Sequence, residues 1–344
     1  MRFELNSRIR PGRRSVFLNL AATGGLLTLV AAFVVGACTQ TFNAGYDRSH
    51  GLLPVDERNP VILLDDGAFD NWAGEYAVLL ANGGGSPLAA IIVNETSDWP
   101  DIQTNVSGYR DLIAAARSSG LKNLPDPIAS IGAPLVMPAS RNVDDTQPNR
   151  SEGALLIVET SRSLGLPYRP LVIATGGALT DVADAYLLDH TVADRVVVVS
   201  SLGSTTSTGG GMGSPNGQGD PWADLIVASR FRYVQVSAWY DQLTDVPASR
   251  LSELPHNALG AWIAAKQPNL WHWTPASDQA SVLAVGLPAF ATAIERVSAI
   301  MSVDGGTSAA PDLATDQSGS DWLVTGCDGT AATTLFWNVL SATH

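Results

Sequence analysis

From Pro60 onward the chain alternates short, unbroken apolar runs with stretches of helical spacing, and this alternation constrains its fold most. Strands are read at Val61–Leu64, Leu88–Val93, Ile128–Ile131, Leu171–Ala174, Arg195–Ser200 and Tyr233–Val236. Helices are read at Trp72–Ala81, Tyr109–Arg117, Ala154–Leu164, Leu179–Leu188 and Ala223–Phe231. Apolar runs without polar alternation predict strands covered on both faces. Strand and helix taking turns at this spacing predict an α/β fold with a doubly wound, mostly parallel sheet flanked by helices. Such sheets bind ligands where strands end in carboxyl-side loops, so those loops are where function is sought. Ser204 to Gly219 is the one low-complexity stretch and reads as a long surface loop or a lid.

The N-terminus has a different character. Arg8, Arg10, Arg13 and Arg14 precede an uncharged run from Val16 to Ala37, which ends Val35-Gly36-Ala37-Cys38. A basic region, an apolar region and a small-residue cleavage site, in that order, describe an export signal. Cysteine directly after Gly-Ala resembles a lipobox, which implies cleavage before Cys38 and a diacylglyceryl group on it. The alternative is an uncleaved anchor, since the 22 residues of the uncharged run could span a bilayer. Arg13-Arg14-Ser15-Val16-Phe17 is similar to a twin-arginine signal, or is ordinary basic-region charge. The expected organisation is a signal peptide at 1–37, a polar tether at 38–58 and one domain at 59–344. Both anchoring readings place that domain outside the cytoplasm, held to a membrane of the cell envelope.

Charge sharpens the partner classes. The whole chain carries −13 at neutral pH, yet residues 1–37 hold five arginines and one glutamate, so the remainder carries −17. An acidic domain repels phosphate backbones, which excludes nucleic-acid polymers and favours a small neutral ligand or a cation. With Cys38 lipidated, Cys327 is the only other cysteine and the domain forms no internal disulfide.

The first strand runs into Leu64-Asp65-Asp66-Gly67-Ala68-Phe69-Asp70-Asn71. Carboxylates gathered at a strand's carboxyl end are costly unless they meet a cation or a polar ligand. Capping of the next helix explains Asp70 or Asn71, but not Asp65 and Asp66 as well. This segment resembles the N-terminal aspartate motif of the inosine/uridine-preferring nucleoside hydrolases, with leucine in place of the first aspartate and asparagine in place of the last. Four later segments resemble that family in the right order. Leu171 to Ala183 reads LVIATGGALTDVA, with Thr180 in the threonine place and Asp181 where the family has asparagine. Arg195 to Ser204 reads RVVVVSSLGS, like the family's strand ending in M-G-G. Asn216 to Ala223 reads NGQGDPWA, with Asn216 and Asp220-Pro221 in place. Ser277-Asp278-Gln279-Ala280 keeps an aspartate but has serine where the family has histidine.

The resemblance implies a calcium ion held by Asp66, Asn71, Asp278 and the backbone carbonyl of Thr180. It implies Asp66 as general base, and Asp70 and Asn216 as holders of the sugar hydroxyls. The implied reaction is hydrolysis of the N-glycosidic bond of a small-molecule ribonucleoside. Members of the family often form dimers or tetramers, so a homo-oligomer is a further expectation. Leu64, Asn71, Ser214 and Ser277 depart from the pattern, and they equally fit a binding protein with an eroded hydrolase site. Among other polar residues, Asp144-Asp145 reads as a solvated loop pair, and Asp126, Asp184 and Asp189 as turns or exposed helix faces. His190 reads as a charge partner at a helix end, and Asn94 or Glu95 as a candidate sugar contact.

Overall fold

The computed structural model describes residues 55, 58–67, 87–96, 100–201, 219–236, 248–266, 290–300 and 312–344. Asp70, Asn71, Asn216, Asp278, Cys38, the helix read at Trp72–Ala81 and the low-complexity stretch up to Gln218 lie outside them. The described residues form one sheet of nine strands in the order β3-β2-β1-β4-β5-β6-β9-β7-β8. These are β1 Val61–Asp65, β2 Leu88–Asn94, β3 Pro127–Ser130, β4 Leu171–Thr175, β5 Val196–Ser201, β6 Arg232–Val236, β7 Ala291–Ile300, β8 Asp312–Thr315 and β9 Asp321–Cys327. The first six strands and β9 pair in parallel. Only β7 pairs antiparallel, with both β8 and β9.

The helices are α1 Ile102–Ser118, α2 Glu152–Leu164, α3 Thr180–Leu188, the single turn α4 Val192–Arg195, α5 Pro221–Arg230, α6 Ala258–Lys266 and α7 Gly329–Ser341. Their starts follow local chemistry. The Asp101 and Ser151 side chains accept from the backbone N–H groups of Thr104 and Ala154. Asp328 does the same for Ala331 N–H at the head of α7. Each satisfies an N–H that the helix itself leaves unpaired.

Successive residues of β1 face opposite sides. Val61 and Leu63 pack with Tyr109 and Leu112 of α1, Leu259 and Ile263 of α6 and Leu340 of α7. Ile62 and Leu64 pack with Ile157 of α2, Val182 of α3 and Ile226 of α5. The sheet is therefore doubly wound, with an apolar layer on each face, as its sequence predicts. The chain builds outward from β1 to β2 and β3, then returns to β4 on the other side and continues through β5 to β6. The direction of winding reverses between β1 and β4, which is where a sheet of this kind places its ligand crevice, at the strands' carboxyl ends.

Two expectations need correction. The third strand stops at Ser130, and Ile131 is exposed. Asp184 is fully buried and not on an exposed helix face. The C-terminal elements, α6, β7–β9 and α7, carry no assignment from the sequence. Among the described residues, no helix is long and apolar enough to cross a membrane.

Candidate functional site at the sheet switch point

Asp66 follows β1 directly and stands at this switch point. It is 4% exposed, and its Oδ2 accepts a hydrogen bond from Thr96 Oγ1 at 2.9 Å. Its neighbour Asp65 turns to the other face, where it is fully buried and accepts from the Tyr109 hydroxyl at 2.5 Å. The two adjacent carboxylates therefore do different work. Asp65 ties β1 to α1, and Asp66 is placed at the ligand end of the sheet.

The turn between β4 and α3, Gly176 to Leu179, lies against Asp66. Gly176 N–H donates to the Leu64 carbonyl at 3.0 Å, and Thr175 Oγ1 donates to the Gly177 carbonyl at 2.9 Å. From β2, Asn94 Nδ2 donates to the Ala178 carbonyl at 2.9 Å. A Cβ on Gly177 would stand 2.6 Å from Asn94 Oδ1 and 3.1 Å from Asp66 N, so only glycine lets the turn come this close. Asn94 Oδ1 is buried and has no hydrogen-bond partner among the described residues.

Thr180 opens α3 and is buried. Its hydroxyl donates to Asp220 Oδ2 at 2.8 Å. The same oxygen accepts from Leu135 N–H at 2.8 Å, while Asp220 Oδ1 accepts from Ala223 N–H at 3.0 Å and caps α5. Asp220 thus joins the loop after β3, the start of α3 and the start of α5. Burial pushes its carboxyl above the ordinary aspartate range, an effect the three donors offset only in part. The Thr180 hydroxyl spends its one proton on Asp220.

Behind the turn lies a second buried carboxylate pair. Asp181 accepts from Ser130 Oγ at 2.7 Å and Ser151 Oγ at 2.6 Å. Asp184 accepts from Asn149 N–H and Ser151 N–H, each at 2.8 Å. Burial raises Asp181 above the ordinary carboxylate range, and the nearby charges of Asp184 and Glu152 add to this. The cluster welds β3, α2 and α3 together. Away from the crevice, Asp189 pairs with Arg162 and Arg195, Asp126 pairs with Arg117, and His190 stacks on Tyr186 at 4.5 Å.

Of the residues singled out in the sequence, Asp66 and Thr180 therefore come to one end of the sheet, on either side of the Gly177 turn. Leu64, at the place of the family's first aspartate, is fully buried among apolar side chains. Asp70, Asn71, Asn216 and Asp278 lie outside the described residues. Among the described residues, no three His, Cys, Asp or Glu side chains cluster as a metal site. Thr96 went unremarked in the sequence, because nothing in its local pattern announces a hydroxyl aimed at a neighbouring strand's end.

No protein-family model and no curated protein matches the sequence. Solved structures do match. An inosine-uridine preferring nucleoside hydrolase from Bacillus anthracis aligns with 82% of this chain and 99% of its own, at 14% identity and a TM-score of 0.54. An inosine-guanosine nucleoside hydrolase aligns with 81% of this chain and 98% of its own, at 15% identity and a TM-score of 0.59. A purine-preferring ribonucleoside hydrolase from Gardnerella vaginalis aligns with 82% and 98%, at 15% identity and a TM-score of 0.52. With the sheet order and the crevice at β1 and β4, these similarities establish that the chain has a nucleoside hydrolase-like fold.

Proposed function

We propose that the domain hydrolyses the N-glycosidic bond of a ribonucleoside, with calcium as cofactor, on the outer side of a membrane to which Cys38 anchors it through lipid. The observation that supports this reading is that the turn leading into Thr180 packs against Asp66 at the end of β1, through a glycine whose place no other residue could take.

The described residues of the implied cation site fit such an ion. Asp66 and the Thr180 backbone offer hard oxygen donors in a largely buried setting, the chemistry calcium prefers. Asp66, Asn71, Asp278 and the Thr180 carbonyl would hold it. Bound there, calcium would supply positive charge to grip the ribose hydroxyls and acidify an attacking water. In this reading Asp66 takes the proton from that water. Asp70 and Asn216 hold sugar hydroxyls, and Asn94 Oδ1 offers one further buried acceptor at the same end of the sheet. The negative charge of Asp66, held in a largely buried setting, favours the oxocarbenium-like charge that develops as the C1′–N bond breaks.

A second reading, a nucleoside- or sugar-binding lipoprotein without turnover, is favoured by Leu64. At that position this chain has an apolar core residue and no carboxylate.

One assay separates the two. The mature domain is incubated with inosine or uridine in calcium, and free ribose is measured. Ribose release that stops on chelation and in Asp66→Asn supports hydrolysis. Thermal stabilisation by nucleoside without ribose release supports binding alone. Neither response would defeat both readings.

A further inference from the structure

We infer that Thr96 is a positioning residue for Asp66, fixing one carboxylate oxygen so that the other is presented to the crevice. This rests on the reading of Asp66 as base and cation ligand.

The structure mounts Thr96 for the task. It lies two residues beyond β2, on a segment held from both sides. On the outer side, Glu95 N–H donates to the Ser130 carbonyl at 3.2 Å. On the inner side, Asn94 Nδ2 donates to the Ala178 carbonyl at 2.9 Å. These two bonds span the sheet from β3 to the turn after β4, with the end of β1 between them. From that bridge the Thr96 hydroxyl reaches Asp66 Oδ2 at 2.9 Å.

Asp66 is constrained from the opposite direction too. Its N and Cβ lie 3.1 and 3.3 Å from the point where a Gly177 Cβ would stand, so the turn blocks retreat of its backbone. A hydroxyl carries a single proton, and donation to Oδ2 commits it. Threonine suits the role better than serine, because its branched Cβ restricts rotation about χ1. A carboxylate oriented in this way enters a cation site without the loss of freedom that a loose side chain would suffer. Partners of this kind typically govern metal affinity by about 10- to 100-fold.

The test compares the full chain with Thr96→Val and Thr96→Ser. Calcium affinity is measured by calorimetry, and melting temperature is measured in chelator. Valine keeps the shape and removes the donor, while serine keeps the donor. The expected result is calcium binding weakened about 10- to 100-fold by Thr96→Val and largely restored by Thr96→Ser. The melting temperature in chelator should be nearly the same in all three, which a merely structural role for Thr96 would not allow. If Thr96→Val does not fold, Thr96→Ala replaces it against the same serine control. Unchanged calcium affinity in the variant lacking the donor overturns the positioning role while leaving the hydrolase reading intact. Absence of calcium binding in the unmodified chain overturns that reading, and this role with it.

Discussion

Asn94 and Gly177 meet across the end of β1. The asparagine's amide nitrogen holds the carbonyl of the next residue, Ala178, and its oxygen lies 2.6 Å from where a Cβ on Gly177 would be. No heavy atom fits between them. Gly177→Ala should therefore force the turn away from β2 and displace Asp66 and Thr180 relative to each other. A destabilisation of about 1–3 kcal/mol is expected from the overlap. Ribose release should fall much further than stability does, which denaturant unfolding and the ribose assay together would show.

Asp220 serves three donors from three segments. In Asp220→Ala the cap of α5 disappears, and Leu135 N–H is left buried without its acceptor. A lost cap costs about 0.5–2 kcal/mol, and an unsatisfied buried donor about 1–3 kcal/mol. A total near 2–4 kcal/mol is expected in urea melts. A loss below about 0.5 kcal/mol would mean that the junction contributes little.

Asp181 should keep its proton to a higher pH than an exposed aspartate does. Ser151 Oγ lies 2.6 Å from Asp181 and 3.0 Å from Asp184, yet it has one proton and cannot donate to both. A proton on Asp181 resolves the conflict, and burial favours it. The sign follows from linkage. With a folded pKa above the unfolded value of 3.8, the contribution is fully present below that value and is lost as pH rises through the folded pKa. Asp181→Asn, whose amide can donate as the protonated acid does, should be nearly neutral at low pH and flatten this decline. Melting temperature followed from about pH 4 to about pH 9 would test it.

Asp189 should act in the opposite sense. Thr191, Arg162 and Arg195 hold its carboxyl down to about 2. Its stabilisation is present above the unfolded value of 3.8 and is lost as pH falls towards 2. Arg162 is well exposed, so solvent screening limits the effect to about 1 kcal/mol. Asp189→Asn should cost that amount at neutral pH and almost nothing near pH 2. Urea midpoints at the two pH values would measure the difference.

Lipid attachment predicts a change of fraction. Cys38→Ala should move the protein from detergent-extracted membrane to the soluble fraction if the signal is still cleaved. Retention of the variant in the membrane would favour an uncleaved anchor.

The central strands were legible because burial on both faces makes each an unbroken apolar run, as in Val196–Val199. The last strands were not, because β7 carries Glu295 and Arg296 and several of its residues face solvent. Its run ATAIERVSAI has neither the continuity of the inner strands nor a helical stripe. The places of Asp66 directly after β1 and of Thr180 near the head of α3 were legible from the strand and helix spacing. Asp184 was not. Its burial depends on two backbone donors, from Asn149 and Ser151, that come from another part of the chain. Thr96 shows the same limit at the crevice, since its partner is chosen by strand order and not by sequence proximity.

The opposed directions of Asp65 and Asp66 make β1 intolerant of any change in length. Removing one residue within Val61–Leu64 would bring Asp66 under α1 in the place of Asp65 and drive Asp65 into the apolar layer where Leu64 sits, while adding one would bring Asp65 to the place of Asp66 and leave Tyr109 without its acceptor. Neighbours on both sides grip this strand in parallel register, so it could not slip to compensate. Point substitution is therefore the route by which this strand can diverge.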